Sequence, residues 1–354
     1  MTVTTSPRGR RTLTLALGGL LAWLAVGADA ADFDPARGEV RSLVDEVAQR
    51  GVERGWLERA LGRAEYRQEV LDAMSGAAEY HLVWHEYRDI FLGEARVDQG
   101  VAFIEAHAEA FARAEAEYGV PAEIIAAILG VETRYGEVTG DHRVLDSLST
   151  LAFHHPRRGE FFRGELAAFL EIAYRQDVDP ASLEGSYAGA MGYPQFIPTS
   201  YRAYAVDFDG DGRRDLWHDP VDAIGSIANY FAEHRWRPGA PVYHQAEGPA
   251  TRPGAVTFNA ARPPGTSVGE LAAVGIESSA GLAAGTEVMP LALTMADGST
   301  RYRLGRDNFY VITRYNHSYL YAMAVTELAE AIAAARGEAG DWFTATATEA
   351  EDDT

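Results

Sequence analysis

The chain has 354 residues, a formal net charge of −21 and no cysteine, and all 31 of its basic residues are arginine. So acidic a chain argues against a nucleic-acid partner and against electrostatic capture of an anionic substrate. The missing cysteine excludes a disulfide framework and leaves no thiol for a lipid anchor, while the length suffices for one large core plus a smaller lobe.

Residues 1–30 read as a cleaved secretory leader rather than as structure. Arg8, Arg10 and Arg11 precede an apolar run from Leu13 to Val26, which ends at the A-x-A site Ala28-Asp-Ala30. The run is short for a membrane span. A soluble periplasmic protein, without a lipid anchor, is therefore expected. Removal of the leader takes away three arginines against one aspartate, so the remaining chain is more acidic still.

Residues 36–115 carry helical patterning. The next segment, Pro121 to Gly136, predicts a helix with proline in its first turn and glycine at its C-terminal cap. Ile124, Ile128 and Glu132 are spaced four apart and share one apolar face. A carboxylate there is partly desolvated and lies at the negative end of the helix dipole. Both effects favour the protonated form that a general acid needs. The plainer alternative is a helix-edge glutamate that reaches solvent or pairs with Arg134. Glycoside cleavage ordinarily uses a second carboxylate; Asp141 and Asp146 are near in sequence, but they equally suit turn and N-cap duty.

Further along, Ser186 and Gln195 stand among Gly and Ala, which allow a ligand close to the backbone. The stretch Asp207-Phe-Asp-Gly-Asp-Gly-Arg-Arg-Asp-Leu-Trp-His218 matches an EF-hand loop at positions 1, 3, 5, 6 and 9. Asp207, Asp209, Asp211 and Asp215 would offer carboxylates to a structural Ca²⁺, and Arg213 its backbone carbonyl. The bidentate Glu of position 12 is replaced by His218, and Asp219 is the nearest substitute. An acidic turn without metal stays open, as does capping of the following helix by Asp219 and Asp222. From Pro238 to about Thr300 the pattern turns β-prone, at Ala255–Phe258 and Leu291–Thr294, with an Asp297-Gly298 turn before Tyr302-Arg-Leu304. Tyr319–Ala335 returns to helix, and residues 341–354 form an acidic tail expected to be disordered.

Four separated segments resemble the lytic murein transglycosylases of the B type: Gly130–Gly136, Gly185–Phe196, Asp219–Tyr230 and Thr313–Met323, in that order. A fifth, Trp84–Ile90, is a less specific match. The resemblance covers roughly residues 35–335. It implies an α+β, mainly α fold: a helical lobe (31–118), a lysozyme-like core carrying the acidic loop (119–237 and 306–340), and a small β lobe inserted at 238–305. It also implies cleavage of the MurNAc-β-1,4-GlcNAc bond without water, giving 1,6-anhydro ends through one Glu that serves as acid and then base. By residue-for-residue match Glu132 becomes the catalytic group, and Ser186, Gln195, Tyr230, Asn316, Tyr321 and Tyr87 become substrate contacts. Peptidoglycan is then the binding partner, wall-synthesis proteins are compatible with the role, and a monomer without organic cofactor is expected. A hydrolytic muramidase and a non-catalytic murein-binding scaffold are the competing readings.

Overall fold

The computed structural model describes residues 32–75 and 82–338. The leader and the acidic tail read from the sequence lie outside them. Six helices open the described chain: α1 (Gly38–Ala48), α2 (Arg54–Leu61), α3 (Gln68–Ser75), α4 (Trp84–Phe91), α5 (Glu94–Ala106) and α6 (Ala108–Tyr118). Each is short, and their buried residues recur at helical spacing, as Val40, Leu43, Val44 and Val47 do in α1.

The helix α7 (Ala122–Thr133) follows. Every residue from Ala122 to Gly130 is buried, including Glu123, which pairs with Arg336, so α7 runs through the core rather than along its edge. It packs on α5, α6 and, from much later in sequence, α11 (Pro220–Glu233) and α14 (Tyr319–Ala335). Between them stand β1 (His142–Arg143), α8 (Val144–His154), α9 (Gly159–Arg175), β2 (Glu184–Gly185) and α10 (Pro198–Tyr204). β1 and β2 form a two-stranded antiparallel pair.

A five-stranded antiparallel sheet interrupts the helices. It comprises β3 (Tyr243–Glu247), β4 (Thr266–Ser267), β5 (Glu277–Ser278), β6 (Glu287–Thr294) and β7 (Thr300–Gly305), in the spatial order β4-β6-β7-β3-β5, with α12 (Val268–Ala272) between β4 and β5. Its own small core gathers Phe258, Leu271, Ile276, Val288, Tyr302 and Leu304. Along β7, Tyr302 and Leu304 point to that core; on the other face Arg301 reaches Glu327 of α14 at 3.3 Å. The helix α13 (Asp307–Tyr315) returns the chain to the helical body.

Sequence patterning and structure differ at two points here. Ala255–Phe258 is not a strand but a loop, although its composition is β-prone. The reason is Asn259, held at φ 63°, whose carboxamide accepts from the Ala292 amide and donates to the Ala292 carbonyl. That side chain takes a pairing position on β6 that a neighbouring strand would need. β3 does form a strand, although nothing in its short, Gly- and Pro-flanked sequence singles it out.

His244 of β3 is 1% exposed, and its buried Nδ1 has no hydrogen-bond partner. Burial, and then the nearby Arg306 charge, depress its pKa to about 4. Between the ordinary value of about 6.5 and that figure the unfolded chain binds a proton that the native chain refuses, so acidification through this window costs stability. The loss should be at most about 3 kcal/mol. His244→Leu should flatten the dependence of melting temperature on pH between these limits; parallel curves for the two proteins would refute the assignment.

Candidate active site

Glu132 is the penultimate residue of α7 and is half-buried at its exposed end. The helix terminates differently from the sequence expectation. Arg134, not Gly136, is the left-handed C-cap, at φ 51°, and Tyr135 (φ 59°) and Gly136 (φ 89°) continue in the same region. Pro121 is the N-cap and lies just outside the helix. Arg134 Nε lies 3.6 Å from Glu137 Oε2.

The Tyr321 hydroxyl, from the first turn of α14, donates to Glu132 Oε1 at 2.6 Å. The two residues are 189 positions apart, so the packing of α14 on α7 makes this pair. Tyr321 is 2% exposed. Burial, and next the Glu132 charge, push its pKa well above the usual phenol value, so it remains a donor. Tyr315 lies nearly parallel to it, with ring centroids 6.3 Å apart, and donates its own hydroxyl to the Pro194 carbonyl. Tyr321→Phe should lower kcat by roughly 10- to 100-fold, the equivalent of about 1.5–3 kcal/mol for a bond to a charged group. Steady-state kinetics on murein check this, and an unchanged kcat would remove Tyr321 from the machinery.

The other sequence-derived residues fall as follows. Ser186 Oγ accepts from the Ala188 and Ala190 amides (3.3 and 3.0 Å), which occupies its lone pairs and leaves its O–H to donate. Gln195 stands at φ 49°; its Nε2 donates to the carbonyls of Thr139 and Gly192, leaving Oε1 as its acceptor. Tyr230 is buried and its hydroxyl donates to the Arg314 carbonyl at 2.6 Å. Tyr87 is buried against Phe91. Asn316 is exposed. Gln195 and Tyr230 meet Tyr315 in one cavity of about 460 Å³, rimmed by Arg158, Phe161, Arg314 and His317. Sequence reasoning passed over Tyr315, which adjoins Asn316 inside a quoted motif, and over Arg158 and Phe161, which lie outside every motif.

The two nearby aspartates each have a partner of their own. Asp146 is buried, where it accepts from Arg67 and from the Glu65 amide and pairs with Arg143. Asp141 is exposed and pairs with His142 at 3.0 Å.

The acidic loop folds on its own side chains. Asp207 accepts from the Gly210 and Gly212 amides, Asp209 from Asp211, and Asp211 from Arg213. Gly212, at loop position 6, takes φ 89°. Carboxylate oxygens of Asp207, Asp209 and Asp211 lie within 4.8 Å of one another, as do those of Asp209, Asp219 and Asp222. Such all-oxygen sets suit a hard divalent cation. Asp215 belongs to neither set; it bonds the Trp217 and His218 amides and the His218 ring. Asp219 N-caps α11 through Val221. Asp222 is the member of these sets to which the sequence reading gave only helix capping. It is 1% exposed and accepts from Phe208 N at 2.6 Å and Asp215 N at 2.7 Å.

A family model described as "Transglycosylase SLT domain" matches residues 35–330. The chain is 43% identical over 306 residues to membrane-bound lytic murein transglycosylase B of Escherichia coli (strain K12), covering 84% of this chain and 83% of the relative. The crystal structure of the soluble lytic transglycosylase SltB1 from Pseudomonas aeruginosa superposes with a TM-score of 0.78 at 50% identity, over 84% of this chain and 99% of that one. The Escherichia coli lytic transglycosylase Slt35 in complex with calcium does so with a TM-score of 0.79 at 43% identity, over 87% and 96%. SltB3 from Pseudomonas aeruginosa, solved with NAG-NAM-pentapeptide, gives 0.71 at 32% identity, over 82% and 78%.

Proposed function

The chain belongs to the SLT-domain lytic murein transglycosylases, enzymes that cleave peptidoglycan, and from that premise we propose that Glu132 alone carries the acid and base steps. The observation that carries the reading is the pairing of Glu132 with the Tyr321 donor at the end of α7; Asp146 pairs with Arg143 and Asp141 with His142. In the first half-reaction the Glu132 carboxyl gives its proton to the glycosidic oxygen as the bond from that oxygen to the MurNAc anomeric carbon breaks. In the second the carboxylate takes the proton of the MurNAc 6-hydroxyl as that oxygen bonds the same carbon. Atoms balance without water, and the acid is regenerated.

The remaining residues supply binding. Ser186 offers a donor and Gln195 an acceptor on the same Gly-rich turn, Tyr230 and Tyr87 supply aromatic walls, and Asn316 adds an amide at the rim. Arg158 and Arg314 give this acidic protein a locally basic rim, suited to the carboxylates of a stem peptide.

Asp207, Asp209, Asp211, Asp219 and Asp222 would hold a structural Ca²⁺, which neutralises their mutual repulsion and ties the loop to α11. None of the helices among the described residues is long and apolar enough to cross a membrane. With residues 1–30 read as a leader, the enzyme works as a soluble protein in the periplasm. Mass spectrometry of digested murein tests the function. Ends in the 1,6-anhydro form support it; reducing ends would make the protein a hydrolytic muramidase, and no cleavage a binding scaffold.

A further inference from the structure

The segment after Glu132 is backbone that an ordinary sequence avoids. Arg134, Tyr135 and Gly136 all take left-handed φ, and two of the three carry side chains. Left-handed non-glycine residues are strained and persist only where the surroundings hold them. Two groups do so here. The Tyr135 ring folds back over its own helix, and its hydroxyl donates to the Arg96 carbonyl at 2.9 Å. A Cβ on Gly130 would stand 2.6 Å from that hydroxyl oxygen, and one on Gly100 would stand 2.5 Å from it. Glycines on two helices therefore make the space that Tyr135 fills. Arg96 closes the loop from the other side by donating to the Gly130 carbonyl at 2.5 Å.

Thr133 is the second anchor. It is 1% exposed; its hydroxyl accepts from the Gly136 amide at 3.1 Å and donates to the Tyr193 carbonyl at 3.0 Å. Tyr193 in turn donates its amide to the Leu216 carbonyl, and its ring occupies the space where a Gly136 side chain would be. One hydroxyl thus joins the turn beside Glu132 to the segment that carries Gln195 and whose Pro194 carbonyl receives Tyr315.

We propose that Tyr135 and Thr133 are positioning residues for Glu132: they hold a left-handed turn that fixes where the carboxyl stands relative to Tyr321 and to the Gln195 segment. The alternative is that they merely stabilise the fold. The inference rests on Glu132 being the reacting group, and a misplacement of about 1 Å in such a group can cost on the order of 100-fold in rate.

The test compares Tyr135→Phe, Thr133→Val and Thr133→Ser with the parent enzyme, measuring kcat, KM, the pH profile and melting temperature on purified murein. Tyr135→Phe keeps the ring and removes only the bond to Arg96. Thr133→Val keeps the volume and removes every bond of the hydroxyl, including its 3.3 Å contact to the Leu129 carbonyl, and Thr133→Ser restores the hydroxyl. Expected are a 10- to 100-fold fall in kcat for Tyr135→Phe and Thr133→Val, KM within about twofold, a displaced alkaline limb of the pH profile, and recovery in Thr133→Ser. Retention of kcat within twofold by both variants overturns the proposal. So does a loss that appears only in proportion to lost folded protein, which the melting curves report, or one that Thr133→Ser fails to recover. A parent enzyme that makes no anhydro ends fails the mechanism itself, a separate outcome from these.

Discussion

Glu132→Gln is expected to lower anhydro-product formation by at least about 1,000-fold while leaving the protein folded and able to bind murein. General acid–base catalysis is typically worth 10²–10⁴-fold, and here a single carboxyl is assigned both proton transfers, so the loss should fall at the upper end. The fold should tolerate the change because Glu132 is only half-buried and the amide is nearly isosteric. Its oxygen can still accept the Tyr321 hydroxyl where Oε1 does now. Glu132→Gln should therefore separate from Tyr321→Phe in kind: the first removes the transferable proton, the second only the donor that holds the group. Quantified anhydro ends, a murein pull-down and a melting curve make the measurement complete. Substantial anhydro product from the variant would mean that another group does the chemistry.

How much of this was legible depends on which residues carry their signal locally. The helix Tyr319–Ala335 has the same limits in sequence and structure, because Ser318 caps it and its apolar residues repeat at helical spacing. The β6–β7 hairpin was readable from Asp297-Gly298 and the alternating residues beyond it. Ala255–Phe258 misled because strand propensity says nothing about what occupies the neighbouring edge, and Asn259 occupies it. The site shows the same division. Glu132 stood out through its place on an apolar face, but its contact with Tyr321 spans 189 positions and only motif resemblance brought Tyr321 forward. Arg158 and Phe161 reach the cavity through the packing of α9, and no local pattern marks them. The left-handed run after Glu132 was invisible too, because Arg and Tyr are poor predictors of positive φ; only Gly136 hinted at it.

Asp222→Ala should be the most damaging single change to stability in the acidic loop, although loop numbering places Asp222 outside it. The carboxylate is 1% exposed and accepts from two backbone amides, Phe208 N and Asp215 N, which belong to opposite ends of the loop. Truncation leaves both donors without that partner, at about 1–3 kcal/mol each. It also removes the one carboxylate of the cation-competent sets that is buried rather than exposed or half-buried. For the parent protein, a ligand at 100 times its dissociation constant adds about 2.7 kcal/mol. Chelation should thus lower the melting temperature by several degrees, and activity should survive wherever the protein stays folded. Asp222→Ala should melt lower than the chelated parent and should no longer respond to calcium. His218→Glu gives the opposing control. It restores the residue type of loop position 12, but His218 is exposed and turned toward Asp215, so calcium stabilisation should not grow. If His218→Glu instead gains calcium stabilisation while Asp222→Ala keeps it, position 12 supplies the ligand and Asp222 only ties the backbone.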